Sequence, residues 1–134
     1  MKKKVIAPKG FHFRIFKEPV DKKYPRIVTV SLYVKGKINR KIGYINLYKG
    51  WDKTYTTHSY LEDKYHGKGL GVLLYAKSIQ WCLDNGCRAR SSGASSKKAQ
   101  RVWKSKGLRK FFNIKTYKSR ISSEYDTWHA YAKK

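Results

Sequence analysis

The sequence predicts a mixed α/β fold with a mainly antiparallel sheet of about seven strands flanked by helices. Three observations carry that prediction. Apolar and polar residues alternate through the first half, an apolar helical period runs through 70–83, and a second helical stretch follows a Ser-rich turn at 91–96. At 134 residues the chain is expected to form one domain, 1–134, large enough to bury a core without disulfide or metal staples.

Each element has its own signal. In 11–16, Phe11, Phe13 and Ile15 alternate with His12, Arg14 and Phe16. In 27–35, Val28, Val30, Leu32 and Val34 share one face, and 36–39 supplies a turn into a returning strand at 40–48 with Ile45 and Leu47 inward. Thr and Tyr dominate 54–61, which suits a pleated, half-buried surface. Leu70, Leu73, Leu74, Ile79 and Leu83 then fall at helical spacing, and Asn85-Gly86 is a stop signal. A short strand is expected at 87–91. Ser95 or Ser96 caps a second helix with Ala99, Val102 and Trp103 on one face and Gly107 at its end. Segments 111–117 and 125–132 read as two closing strands.

Composition narrows the function. Lys and Arg number 32 against 8 Asp and Glu, a formal net charge of +24, while 40% of the residues are hydrophobic and 15% aromatic. Such a chain is too apolar for a disordered basic tail, and it lacks the run of about 18 apolar residues that a membrane span needs. The basic start is interrupted by Lys9, Gly10, His12 and Arg14, so a secretory leader is not expected. Cys82 and Cys87 build no disulfide framework and fit a reducing, cytoplasmic compartment as small buried hydrophobes. His12, His58, His66 and His129 show no zinc spacing with them, so no metal is expected. The charge points to a polyanionic partner, against the alternative of a solubility device.

One stretch carries chemistry. In 61–75 a strand end runs through a Gly-rich turn directly into an amphipathic helix. Gly67, Gly69 and Gly71 leave backbone N–H groups uncovered at the positive end of that helix, and Lys68 adds charge, which makes a site for a phosphate or pyrophosphate. No Gly-Lys-Ser/Thr closes it as a P-loop, and the strands before it are unlike the start of a parallel dinucleotide-binding sheet.

The segment Tyr65-His66-Gly67-Lys68-Gly69-Leu70-Gly71 resembles motif A of the GCN5-related N-acetyltransferases (GNAT), with His66 in the first position. The helix beginning at Ser96 resembles the family's motif B, with Ala99 and Gly107 matching and Ser96, Trp103 and Leu108 departing from it. The resemblance implies a GNAT-like sheet, acetyl-CoA as cofactor, and N-acetyl transfer. It places the pantetheine arm on Tyr60 and Leu61, the pyrophosphate on His66, Gly67, Lys68, Gly69, Leu70, Gly71 and Val72, and a further pantetheine contact on Ser96. Trp103 stands where the family has a Tyr that protonates the leaving thiolate. An indole N–H only donates a hydrogen bond, so Trp103 is either a wall of the thioester tunnel or core.

The same resemblance puts a general base near Tyr55, which cannot serve as an ordinary one. His58, Glu62, Asp63, Glu124, Asp126 and His129 are the alternatives for the base, and Tyr55 and Tyr75 for the acid. An α-amino nucleophile, with a reference pKa near 8, needs no strong base, and proximity supplies much of the rate.

The family's acceptor site is walled by helices between the first two strands. Here only 17–26 joins them, with Pro19 and Pro25 inside, so that region is expected to be shortened and the acceptor cleft open. A small flexible lid is the alternative. Between Asp84 and Glu124 there are 12 basic residues and no acidic one. Lys97, Lys98, Arg101, Lys104, Arg109 and Lys110 are the expected acceptor contacts. The acceptor is expected to be RNA-linked, as in aminoacyl-tRNA, or an acidic protein. A homodimer stays open, as does a GNAT-fold nucleic-acid-binding or regulatory protein with weak or lost catalysis.

Overall fold

Strand β1 (Phe11–Lys17) pairs antiparallel with β2 (Ile27–Val34), which pairs with β3 (Arg40–Lys49), which pairs with β4 (Thr54–Leu61). The computed structural model from which this is read describes residues 4–18, 24–93 and 95–133, and the side chain of Glu124 also lies outside the described residues. Between β1 and β2 the described residues hold no helix, and Glu18 N–H bonds the Ile27 carbonyl at 3.0 Å to close the pair. Pro19 and its neighbours to residue 23 lie outside the described residues.

The β3–β4 turn places Asp52 and Lys53 at φ 55° and 58°, a left-handed conformation that costs more for these residues than for glycine. After β4, a single 3-10 turn at Asp63–Tyr65 leads into helix α1 (Leu70–Asp84). This helix buries Leu70, Leu74, Ile79 and Cys82 on the sheet and ends at Asn85, whose side-chain amide donates to the Trp81 carbonyl at 2.8 Å. Strand β5 (Arg88–Ser91) returns parallel to β4. The closing strands β6 (Phe112–Tyr117) and β7 (Thr127–Ala132) pair with each other, and the sheet order is β1-β2-β3-β4-β5-β7-β6.

The second helix differs from its expected form. It breaks at Ser105 into α2 (Lys97–Lys104) and α3 (Lys106–Arg109). Ser105 is extended, at φ −69° and ψ 148°, because its hydroxyl closes the first helix and opens the next: it donates to the Val102 carbonyl at 2.7 Å and accepts from Leu108 N–H at 3.2 Å. Gly107 therefore lies inside α3 instead of ending the helix. A Cβ there would meet Val72 Cγ1 at 3.1 Å, so the glycine serves the close approach of α3 to α1.

All three helices lie on one face of the sheet. Trp81 of α1 packs edge-on against Tyr55 at 5.4 Å, Lys104 of α2 lies 5.5 Å over the Trp128 ring, and α3 packs on α1. Between helices and sheet the core holds Val28, Val30, Leu32, Ile45, Leu47, Trp103 and Trp128, each at most 1% exposed. As the edge strand, β1 is covered less, and Ile15 stays 39% exposed. Among the described residues no helix is long and apolar enough to cross a membrane.

Candidate active site

The site begins with a split in the sheet. The β4–β5 pairing runs from Thr54↔Arg88 to Thr57↔Ser91 and stops there, while β4 continues through His58, Ser59, Tyr60 and Leu61. On its other side β4 stays paired with β3 as far as Gly43↔Leu61. The last residues of β4 thus have no β5 partner along one edge, where the Leu61 carbonyl is taken up by His66, and beside that edge a cleft of about 500 Å³ opens between β4, the Gly-rich turn, α1 and α2.

The Gly-rich turn forms a cradle. Gly67 and Gly69 take φ of +76° and +78°, conformations that favour glycine, and a Cβ on either would meet nothing within 4 Å. Gly69 caps α1 without a side-chain bond, and the first turn closes with Leu73 N–H on the Gly69 carbonyl at 3.2 Å. That leaves the N–H groups of Leu70, Gly71 and Val72 pointing out of the helix end, where an anion is favoured. The open cradle and these donors fit the pyrophosphate of a CoA thioester, and the split β4 edge fits its amide-bearing arm.

Side chains complete the lining. His66 Nε2 lies 2.6 Å from the Leu61 carbonyl, so that nitrogen carries the proton and ties the turn to the strand end. Lys98 on α2 donates to Asp63 Oδ1 at 3.2 Å across the mouth, and Arg101 lines the same wall. Deeper in, the Tyr75 hydroxyl is 2.7 Å from Ser59 Oγ, with Tyr75 itself 3% exposed. Burial raises the Tyr75 pKa, opposed by hydrogen bonds with Ser59 and Thr57. Trp103 packs edge-on against Tyr75 at 5.7 Å, fully buried, with its indole N–H unpartnered.

The expected cofactor residues mostly come together here. Tyr60, Leu61, His66, Gly67, Gly69, Gly71, Val72 and Ser96 all line the cleft. Leu70 turns into the core at 3% exposure, its N–H alone remaining at the helix end, and Lys68 lies 5.9 Å over the Tyr65 ring. Trp103 is core under the cleft, not a tunnel wall. Of the expected acceptor contacts, Lys98 and Arg101 line this cleft instead, because the exposed side of α2 forms its wall. Lys97, Lys104, Arg109 and Lys110 are exposed on the helix side of the molecule.

The acid–base candidates scatter. Tyr55 is fully buried and donates to the Pro25 carbonyl at 2.6 Å, and burial pushes its pKa to about 12. It lies on the helix side, under Trp81, away from the cleft. His58 is on the opposite face of β4, edge-on to Tyr48 at 5.2 Å. Glu62 is held by Arg40 at 2.6 Å. Asp126 accepts from Ser119 N–H at 2.8 Å. His129 sits on β7 against Tyr117, its pKa lowered by burial and then by Arg90 and Arg88. Tyr75, an acid candidate from the sequence, does reach the cleft, and Ser59, its hydroxyl partner, is what the sequence did not single out. The signal for the pair is Tyr75 one helical turn after Gly71, on the side of α1 that faces the strand end.

The sequence profile of the acetyltransferase (GNAT) family matches residues 9–108, and the chain belongs to that family. Among solved structures it resembles a GNAT-family acetyltransferase from Streptococcus pneumoniae, at TM-score 0.52 and 15% identity, covering 82% of this chain and 66% of that one. It also resembles a ribosomal-protein-S5-alanine acetyltransferase from Vibrio fischeri, at TM-score 0.54 and 15% identity over 78% of this chain and 60% of that one. A protein from Klebsiella pneumoniae assigned as an acyl-CoA N-acyltransferase matches at TM-score 0.55 and 12% identity, over 90% of this chain and 97% of that one. The chain thus spans less than two thirds of the length of the first two of these proteins, 66% and 60%. No curated protein matches it in sequence.

Proposed function

We propose that the protein is an acyl-CoA-dependent N-acetyltransferase that moves acetyl to an amine on a large anionic acceptor, such as an aminoacyl-tRNA or an acidic protein. The observation that carries this is the split between β4 and β5 beside the glycine cradle of α1. When bound there, acetyl-CoA supplies an activated thioester.

The chain's own residues then have separable roles. The N–H groups of Leu70, Gly71 and Val72 hold the pyrophosphate, with Lys98 and Arg101 adding charge. The free edge of β4 orients the arm. Tyr75 stays protonated near neutral pH, since burial raises its pKa, so it can give a proton to the departing sulfur while Ser59 holds its hydroxyl. Trp103 fixes the Tyr75 ring. Asp63 and His66 are the cleft-lining groups able to take a proton; Asp63 is engaged by Lys98, and His66, with its Nε2–H on the Leu61 carbonyl, has only Nδ1 left, 3.8 Å from Asp63 Oδ1. An α-amino group therefore fits best as nucleophile, because it is partly neutral near pH 8 without help.

That engagement also favours a second reading, a GNAT-fold binding protein with weak or lost catalysis. Two measurements separate them. Acetyl-CoA raises the melting temperature on the first reading, and labelled acetyl appears on tRNA or protein acceptors on the first alone. An absent thermal shift overturns the first, and robust transfer overturns the second. The free, buried Cys82 and Cys87 accord with a reducing, cytoplasmic setting. A homodimer is a further option that sedimentation tests.

A further inference from the structure

We propose that the sheet face opposite the helices is a docking surface for single-stranded nucleic acid, with one base stacked on the exposed ring of Tyr48. This deepens the proposed function by naming the acceptor's class. It rests on that function only for the link to catalysis, since binding requires no transfer.

The first observation is geometric. Tyr44 and Tyr48 stand four residues apart on β3, so their backbones are roughly 13 Å apart along the strand, and the Tyr48 hydroxyl accepts from Asn46 Nδ2 between them at 3.4 Å. A pocket of about 500 Å³ lies here, bordered also by His58 and Ser59. That volume is in the range of small-ligand sites, about 300–1,000 Å³. Asn46 and His58 face each other across β3 and β4; the Asn46 amide accepts from Thr29 at 2.8 Å as it donates to the Tyr48 hydroxyl, and His58 packs edge-on against Tyr48, so the two hold the Tyr48 ring in place on the exposed face.

The second observation is the pattern around the pocket. Tyr60 lies opposite Tyr44 with ring centroids 5.7 Å apart, and Tyr33 stacks on His12 at 5.1 Å. Cations sit on these rings: Arg14 lies 5.1 Å over Tyr33 and Lys41 5.5 Å over Tyr44. Toward β7 the row continues through Arg90 to His129. Among the described residues no strand contains an Asp or Glu. Basic charge alone would suit any polyanion. Rings spaced between the cations suit unpaired bases, whose flat faces stack on them, and neither a duplex nor an acidic protein offers such faces. Ser59 borders both this pocket and the cofactor cleft, so a strand seated here lies beside the split.

The test is fluorescence anisotropy with a labelled single-stranded RNA decamer of mixed sequence, with a duplex of the same sequence and polyglutamate as competitors. Losing one stacked base is worth about 5- to 150-fold in affinity. Tyr48→Leu is therefore expected to weaken RNA binding by about tenfold or more, and Tyr48→Phe to restore it. Lys41→Gln is expected to weaken binding and flatten its log–log salt slope by about 0.7. A cooperative thermal melt without ligand checks that each variant is folded, and Tyr44→Leu replaces Tyr48→Leu if the latter is not. Unchanged RNA affinity in the folded Leu variant overturns the proposal, as does equal competition by duplex or polyglutamate. A parent protein that binds RNA through Tyr48 but shows no acetyl-CoA shift overturns the proposed enzyme and leaves the docking surface standing. The converse result overturns the docking surface alone.

Discussion

At the residue scale the paired hydroxyls of Ser59 and Tyr75 concentrate the chemistry. If Tyr75 protonates the leaving sulfur, Tyr75→Phe lowers kcat by about a hundredfold or more, the usual size of an acid–base contribution. The KM for acetyl-CoA should hold, because the ring and its packing on Trp103 survive. Ser59→Ala should cost less, since it removes the positioning bond and leaves the donor. Gly69 is a different kind of requirement. Its φ of +78° strains any residue with a Cβ, so Gly69→Ala should abolish most of the acetyl-CoA thermal shift. Tyr55 carries a test of stability. Its folded pKa, about 12, exceeds the ordinary value of 10, so the folded state holds the proton that the unfolded state releases first. Its contribution is complete below pH 10 and is lost as pH rises toward 12. Tyr55→Phe should flatten that alkaline fall in melting temperature.

At the scale of elements, what was legible in the sequence follows from local rules. The alternation of Val28, Val30 and Leu32 marks β2, and the Leu spacing with Asn85-Gly86 bounds α1 within a residue. Gly67, Gly69 and Gly71 exposed the anion cradle because a backbone site is written in glycines. Ser105 escaped notice because a serine inside a helical pattern reads as solvent-facing, and its capping role appears only once α3 packs on α1. Tyr75 was ambiguous because one pattern of spacing serves core and cleft alike. His58 and Tyr55 show the limit of counting along a strand: neighbouring positions point to opposite faces, and neither reaches the cleft. Gly43 shows contact that no spacing could foretell. A Cβ there would sit 2.8 Å from both Leu61 Cδ1 and the Tyr60 carbonyl. Gly43→Ala should therefore cost about 1–3 kcal/mol by overpacking, read as a lower urea midpoint. It should also raise the KM for acetyl-CoA, because it displaces the strand end that lines the cleft.

At the scale of the whole molecule the charge of +24 is shared between two faces. The helix side carries Lys98 and Arg101 into the cofactor cleft, while the opposite side sets Arg14, Lys41 and Arg90 among rings. Acceptor binding should accordingly fall steeply with salt, and acetyl-CoA binding much less, since the backbone N–H groups of α1 do much of that work. The split has one more consequence. From His58 to Leu61, β4 has an open border inside the sheet, and such borders invite foreign strands to zip on. The cofactor's amides would occupy that border much as a short extra strand does. Without cofactor, the protein should associate more readily at high concentration, and amide hydrogens along this segment should exchange fast. Adding acetyl-CoA should slow that exchange and disperse the oligomers, so the ligand would act here as a chaperone for the sheet as well as a substrate.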